Sequence, residues 1–167
     1  MIHRARGVSL IMIVKYAFNE DHPDTIVLMC SDGRFTRIVW ELLNSLKQGR
    51  YDTVSMPGGP ALLDMSSGNL IEVEASRAGT SFLIKGHNIK YAHLIAHRNC
   101  GFYAHRYAGQ TPERIEDRQI RDLKAAAAWL KKAHNGLEVC AWMVFPDPEK
   151  SEFLSIDLSK ASDYLLA

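Results

Sequence analysis

The stretch Thr25–Phe35 reads TIVLMCSDGRF. Residues 25–29, TIVLM, form a continuous apolar and β-branched run. That is the pattern of a strand buried on both faces, as in a parallel sheet. Cys30, Asp32 and Arg34 follow at every other position, just where the strand ends. Beyond them Phe35, Ile38, Val39, Leu42, Leu43 and Leu46 recur at helical spacing and define one apolar helix face, with Gly49 in the place of a C-cap. The stretch thus reads as strand, reactive loop, helix.

Working outward, the same alternation repeats. YDTVSM (51–56) is a second strand, ended by PGGP (57–60). EVEASRAGTSFLIKG (72–86) has a helical pattern weakened by Gly79, and YAHLIA (91–96) is a third strand that runs into HRNCG (97–101). Residues 111–136 give the strongest helix, with Thr111 as N-cap, Pro112 in its first turn and Gly136 after its end. LEVCAWMVF (137–145) is a strand, PDPEKS a turn, and EFLSIDL (152–158) a last, antiparallel strand. Strands alternating with helices predict an α/β fold: a mainly parallel central sheet flanked by helices, with a C-terminal antiparallel edge strand. Ligands of such sheets sit outside the carboxyl ends of the strands. CSDGR and HRNCG both fall there.

The 167 residues fit one domain, with residues 1–24 as an N-terminal arm. Hydrophobic residues are 47% and charged residues 23%, which excludes a disordered chain. A net charge of +1 gives no argument for nucleic acid or acidic membranes as partners. The apolar run GVSLIMIV (7–14) is far short of the roughly 18–20 residues of a membrane span. MIHRAR resembles the charged start of a secretory signal, but no small-residue cleavage site follows, so an arm or strand is expected. Met12 is an alternative start that would make residues 1–11 dispensable. Three cysteines, Cys30, Cys100 and Cys140, argue against a disulfide framework and for a reducing cytoplasm with free or metal-bound thiols.

Two thiols and an imidazole can make a zinc site. His97 and Cys100 leave one strand end together, and Cys30 leaves another. Three such ligands around a tetrahedral ion leave a fourth position for water, which then loses its proton near neutral pH. Asp32 has two open roles. It could close the site as a fourth ligand, or rest on Arg34 in a bidentate pair and accept a hydrogen bond from the water. Two thiolates neutralise Zn²⁺, so the water is acidified less than at an all-histidine site and activity is expected at mildly alkaline pH.

Competing thiol chemistries fail by counting. A phosphatase loop needs Cys-x5-Arg, but Thr36 stands at that position and Arg37 comes one residue late, and a sulfurtransferase cradle would be completed at residue 35, which is Phe35. His93 reads as a strand residue with a satisfied hydrogen bond. Arg98, Phe102, Tyr103, His105, Arg106 and Tyr107 read as a solvated helix start with core aromatics, or else as a basic mouth with His105 as a proton relay.

At these residues the chain resembles the β-class carbonic anhydrases, whose pattern is Cys-x-Asp-x-Arg after the first sheet strand and His-x-x-Cys-Gly after a later one. The resemblance spans roughly residues 25–158. It implies zinc ligation by Cys30, His97 and Cys100, an Asp32–Arg34 dyad gating the fourth position, reversible hydration of CO2 to bicarbonate by zinc-bound hydroxide, and a homodimer or higher homo-oligomer. Two departures stand out. MPGGP (56–60) replaces an Arg-Asn-Ala-Gly-type loop, with Gly58 and Gly59 still able to approach closely, and Arg98 and Asn99 replace familiar neighbours of His97. Two alternatives follow from the same site: a related hydrolase of COS or CS2, and a non-catalytic zinc-stabilised interaction domain.

Overall fold

The computed structural model describes residues 18–66, 69–147, 149–156 and 158. Residues 1–17 of the expected arm, including Met12 and the GVSLIMIV run, lie outside the described residues. Five strands form one sheet in the order β2-β1-β3-β4-β5. They are β1 (Thr25–Cys30), β2 (Asp52–Met56), β3 (Tyr91–His97), β4 (Glu138–Phe145) and β5 (Glu152–Ser155). The pairs of β1 with β2, β1 with β3 and β3 with β4 are parallel, whereas β5 runs antiparallel to β4. This is the predicted architecture. β1 is buried along its whole length, as its unbroken apolar run requires.

Among the described residues the α-helices are α1 (Thr36–Ser45), α2 (Leu70–Gly86), α3 (Gly101–Arg106) and α4 (Pro112–Ala133). Successive strand residues point to opposite faces, so two cores form. Ile26, Leu28, Leu94 and Met143 pack with Ile84 of α2 and Leu123, Ala127 and Leu130 of α4. Val27, Met29, Ile95 and Val144 pack on the other face with Val39, Leu42 and Leu43 of α1.

Several boundaries differ from expectation for local reasons. α1 ends before Gly49. Lys47, at φ 57°, takes the left-handed position, with Lys47 N–H donating to Asn44 O and Gln48 N–H to Leu43 O, the two bonds of a Schellman cap. α2 starts at Leu70 rather than Glu72, because Asn69 accepts from Glu72 N–H while the Glu72 side chain accepts from Asn69 N–H, a complete capping box. Gly79 does not interrupt it. α4 begins as predicted, with the Thr111 side chain accepting from Arg114 N–H and Pro112 in the first turn. α3 is a short helix of its own ahead of α4.

Candidate metal centre

Three strand ends and loops converge at the carboxyl edge of the sheet. Cys30 closes β1, His97 closes β3, and Cys100 caps α3. One ligand atom from each lies within 4.8 Å of the others, and all three residues are buried. The Sγ atoms of Cys30 and Cys100 are 3.8 Å apart. That is too long for a disulfide. It equals the spacing of about 3.8 Å that two sulfurs take at about 2.3 Å from one tetrahedral zinc.

The imidazole is also oriented by its neighbours. The Nδ1 of His97 is 3.0 Å from the carbonyl oxygen of Arg98. A carbonyl only accepts, so Nδ1 carries the proton and Nε2 keeps its lone pair. Nε2 is buried with no hydrogen-bond partner among the described residues. Phe35 stacks on the ring at 3.8 Å between centroids and fixes its plane. Gln119 Nε2 donates to the backbone oxygen of His97 at 2.8 Å and anchors the strand end to α4.

The two thiols are shifted in opposite directions. The hydrogen bond from Cys100 pushes the Cys30 thiol down against burial, helped by the nearby His97 side chain and then by the backbone N–H groups of Asp32 and Gly58. The same bond, with burial, pushes Cys100 up. Both can be thiolates together only beside a positive charge. Two buried sulfurs at metal spacing and an orphaned imidazole nitrogen are a donor set that fits a soft divalent cation such as zinc.

The Gly-Gly pair explains how Cys30 is reached. Residues 59–63 form a 3-10 turn, with Gly58 at φ 78° and Gly59 at φ 58°. A Cβ on Gly59 would stand 2.7 Å from the backbone nitrogen of Cys30, and one on Gly58 would stand 2.4 Å from the Phe102 ring. The MPGGP segment is therefore the close approach foreseen for it, ending in a 3-10 turn rather than a simple reversal.

Asp32 is not among the three clustered residues. It rests on Arg34, accepting from the guanidinium Nε at 2.9 Å and from Arg34 N–H at 3.1 Å. The reason is not the extended alternation expected for residues 30–34. The chain leaves β1 at Cys30, and Asp32 caps a 3-10 turn over Gly33–Phe35 that folds Arg34 back onto it. Arg34 holds the Asp32 carboxyl down at about 2.

Cys140 is exposed on β4, away from the cluster. His93 accepts from Trp142 Nε1 at 3.2 Å, a satisfied strand histidine as expected. The bland reading of the 102–107 segment also holds in part, since Tyr103 is buried and donates to Asp122 at 2.8 Å. Arg118 Nε lies 2.9 Å from the same carboxylate. Gln119 and Asp122 were missed as supports. Their signal was present: both sit on the Leu123, Ala126, Ala127, Leu130 stripe of α4, where an apolar residue would otherwise stand.

No family model matches the chain, and no curated protein matches it. Solved structures do. The chain is similar to β-carbonic anhydrase isoform I of Trichomonas vaginalis, at 13% identity over 86% of this chain and 88% of that one, with a TM-score of 0.52. It is similar to the β-carbonic anhydrase CafD of Aspergillus fumigatus, at 9% identity over 85% of this chain and 94% of that one, with a TM-score of 0.51.

The fold is that of the β-carbonic anhydrases.

A likeness at this identity concerns the β-carbonic anhydrase fold alone. It agrees with the order of the strands and with the parallel core that brings Cys30, His97 and Cys100 to one edge. Among the described residues, no helix is long and apolar enough to cross a membrane.

Proposed function

We propose that this protein is a zinc-dependent carbonic anhydrase that reversibly hydrates CO2 to bicarbonate, with Cys30, His97 and Cys100 as the metal ligands. The observation that carries the reading is the buried Cys-His-Cys set, with its sulfurs 3.8 Å apart and its imidazole nitrogen unpartnered. A zinc ion held there supplies Lewis acidity that lowers the pKa of a water in its fourth position.

The remaining work falls to the chain. Arg34 pairs with Asp32, which keeps the carboxylate ionised and engaged away from the ligand set. With zinc bound, an ionised Asp32 would accept a hydrogen bond from a water and orient it toward CO2. Phe35 and Gln119 hold the imidazole plane and the β3 end, so the ligand geometry is set before substrate arrives. The pairing of Asp32 with Arg34 favours an open catalytic site over a closed structural one. We place the enzyme in the cytoplasm as a homo-oligomer, on its free thiols and on the resemblance of its motifs.

The test measures bound zinc and CO2 hydration on the same samples of wild type, Cys30→Ala and His97→Ala. The expected result is loss of both together in the variants. Full activity of metal-free protein overturns the reading. Sulfide release from COS without CO2 hydration moves the substrate to another linear heterocumulene, and tight zinc with neither activity makes the site structural.

A further inference from the structure

The buried side of α4 is apolar except at two places. Leu123, Ala126, Ala127 and Leu130 pack in the core, and Gln119 and Asp122 are buried beside them. A carboxylate taken out of water is costly unless its oxygens are paired. Asp122 is 1% exposed, and both of its oxygens are engaged. Oδ2 accepts from the Tyr103 hydroxyl at 2.8 Å, and Oδ1 lies 2.9 Å from Arg118 Nε. Arg118 is itself held from outside, its Nη2 donating to the exposed Ser66 hydroxyl at 2.7 Å. An apolar side chain at 122 would continue the stripe with none of these demands, so packing alone does not explain the acid.

What the acid holds is α3. Tyr103 is buried in one cluster with Cys30 and Cys100. It lies in the turn that Cys100 opens, where Ala104 N–H donates to Cys100 O at 3.0 Å and Tyr107 N–H to Tyr103 O at 2.9 Å. With six residues, α3 is too short to hold its shape and place by its own backbone bonds. The Tyr103–Asp122 hydrogen bond ties it to the 22 residues of α4. Three residues earlier on α4, and so on the same side of the helix, Gln119 donates to the backbone oxygen of His97 at 2.8 Å. One long helix thus grips both segments that carry His97 and Cys100. We infer that Asp122 is a positioning residue for the metal centre: through Tyr103 it sets where Cys100 stands relative to His97, and so how tightly the centre holds zinc. The inference rests on the zinc reading of the centre. It goes beyond that reading because neither Tyr103 nor Asp122 belongs to the ligand set of Cys30, His97 and Cys100. Ligands fixed by such outer partners meet the ion already in place.

Zinc affinity of the full chain, measured by chelator competition, tests it. The absorption spectrum of the cobalt-substituted protein and the urea midpoint of the zinc-free protein are read on the same variants. Tyr103→Phe removes one hydroxyl and keeps the ring. It should weaken zinc binding about tenfold or more, the scale of a lost outer partner, and lower the thiolate-to-cobalt charge-transfer absorbance per bound cobalt. Tyr107→Phe makes the same change on a half-buried neighbour outside this chain of bonds, and it should do neither. Tyr103→Phe/Asp122→Leu should bind zinc no more weakly than Tyr103→Phe alone, because the two residues act as one unit. A lower urea midpoint in Tyr103→Phe with zinc affinity and cobalt spectrum unchanged makes the pair structural only and overturns the inference. So does an equal loss in Tyr107→Phe, and so does a further loss in the double variant. A wild type that binds no zinc overturns the reading of the centre and this inference with it, whereas a zinc-binding wild type with unaffected variants overturns this inference alone.

Discussion

The sulfur of Cys30 lies 3.8 Å from the sulfur of Cys100, although 70 residues separate them in the chain. The parallel pairing of β1 with β3 causes this, because it ends both strands at the same edge. Metal that binds the native site and not the unfolded chain stabilises the fold, by about 2.7 kcal/mol at a hundredfold excess over Kd. Zinc-loaded protein should therefore melt several degrees above chelator-treated protein. Cys30→Ser should abolish that difference in a thermal scan.

Arg34 is the hydrogen-bond partner of Asp32. Its hydrogen bonds hold the Asp32 carboxyl at about 2, below the ordinary value of about 3.9. The folded-state value is depressed, so this pairing contributes stability that is full above the ordinary carboxylate pKa and is lost as pH falls through about 2. Arg34→Ala should raise the Asp32 pKa, read by carboxyl carbon shifts on titration. It should also release Asp32 to become a fourth ligand, so zinc is retained while CO2 hydration at pH 7 falls about tenfold or more, the scale of a lost positioning contact.

Gly58 and Gly59 both stand at positive φ but face different neighbours. A methyl at Gly59 meets the backbone of Met29 and Cys30, which cannot yield without moving β1. A methyl at Gly58 meets the Phe102 side chain, which can swing aside. Gly59→Ala should cost about 2 kcal/mol or more in urea denaturation and weaken zinc binding. Gly58→Ala should cost less, about 1–2 kcal/mol, and leave zinc in place. Equal effects on zinc would remove the close approach to Cys30 as their explanation.

The contrast among these residues shows what the sequence carried. The continuous run 25–29, the alternation of strands and helices, and Thr111-Pro112 are short-range signals, and each produced the element expected of it. The convergence of Cys30, His97 and Cys100 was legible because strand ends in a parallel sheet share an edge. The stacking of Phe35 on His97 was not, since it joins two residues whose neighbourhood exists only after α1 packs. The Asp32–Arg34 pair was foreseen on the wrong geometry: a turn, not an extended strand, brings them together.

His93 offers a pH test remote from the Cys30, His97 and Cys100 cluster. It is buried on β3, accepts from Trp142, and has its pKa lowered by burial. A depressed folded value means its contribution is full above the unfolded pKa of about 6.5 and is lost as pH falls through the lower folded value. His134 shifts in the same direction, by burial and then Lys85, so the whole-protein slope alone is ambiguous. His93→Asn keeps an acceptor near the Nδ1 position but does not titrate. Its urea midpoint should fall less than that of wild type between pH 8 and pH 5.5, and parallel curves would exclude His93 as a source of the slope.

Lys47 is the residue that took the place expected for a glycine. The cap of α1 needs the left-handed conformation at this position, and Lys47 holds it at φ 57° while Gly49 lies beyond the motif. A side chain with a Cβ pays about 1 kcal/mol there that glycine does not. The two capping bonds use backbone atoms alone, from Lys47 N–H to Asn44 O and from Gln48 N–H to Leu43 O, so the substitution removes none of them. Lys47→Gly relieves the strain but also loosens the unfolded chain, which offsets part of the gain. The net expectation is a stabilisation of about 0.5 kcal/mol by urea denaturation, with zinc content and CO2 hydration unchanged. Gly49→Ala, outside the cap and with open space around it, should not bring the loss that a C-cap glycine would suffer. A destabilised Lys47→Gly, or a Gly49→Ala that costs about 1 kcal/mol, would return the cap to the position first assigned from the sequence.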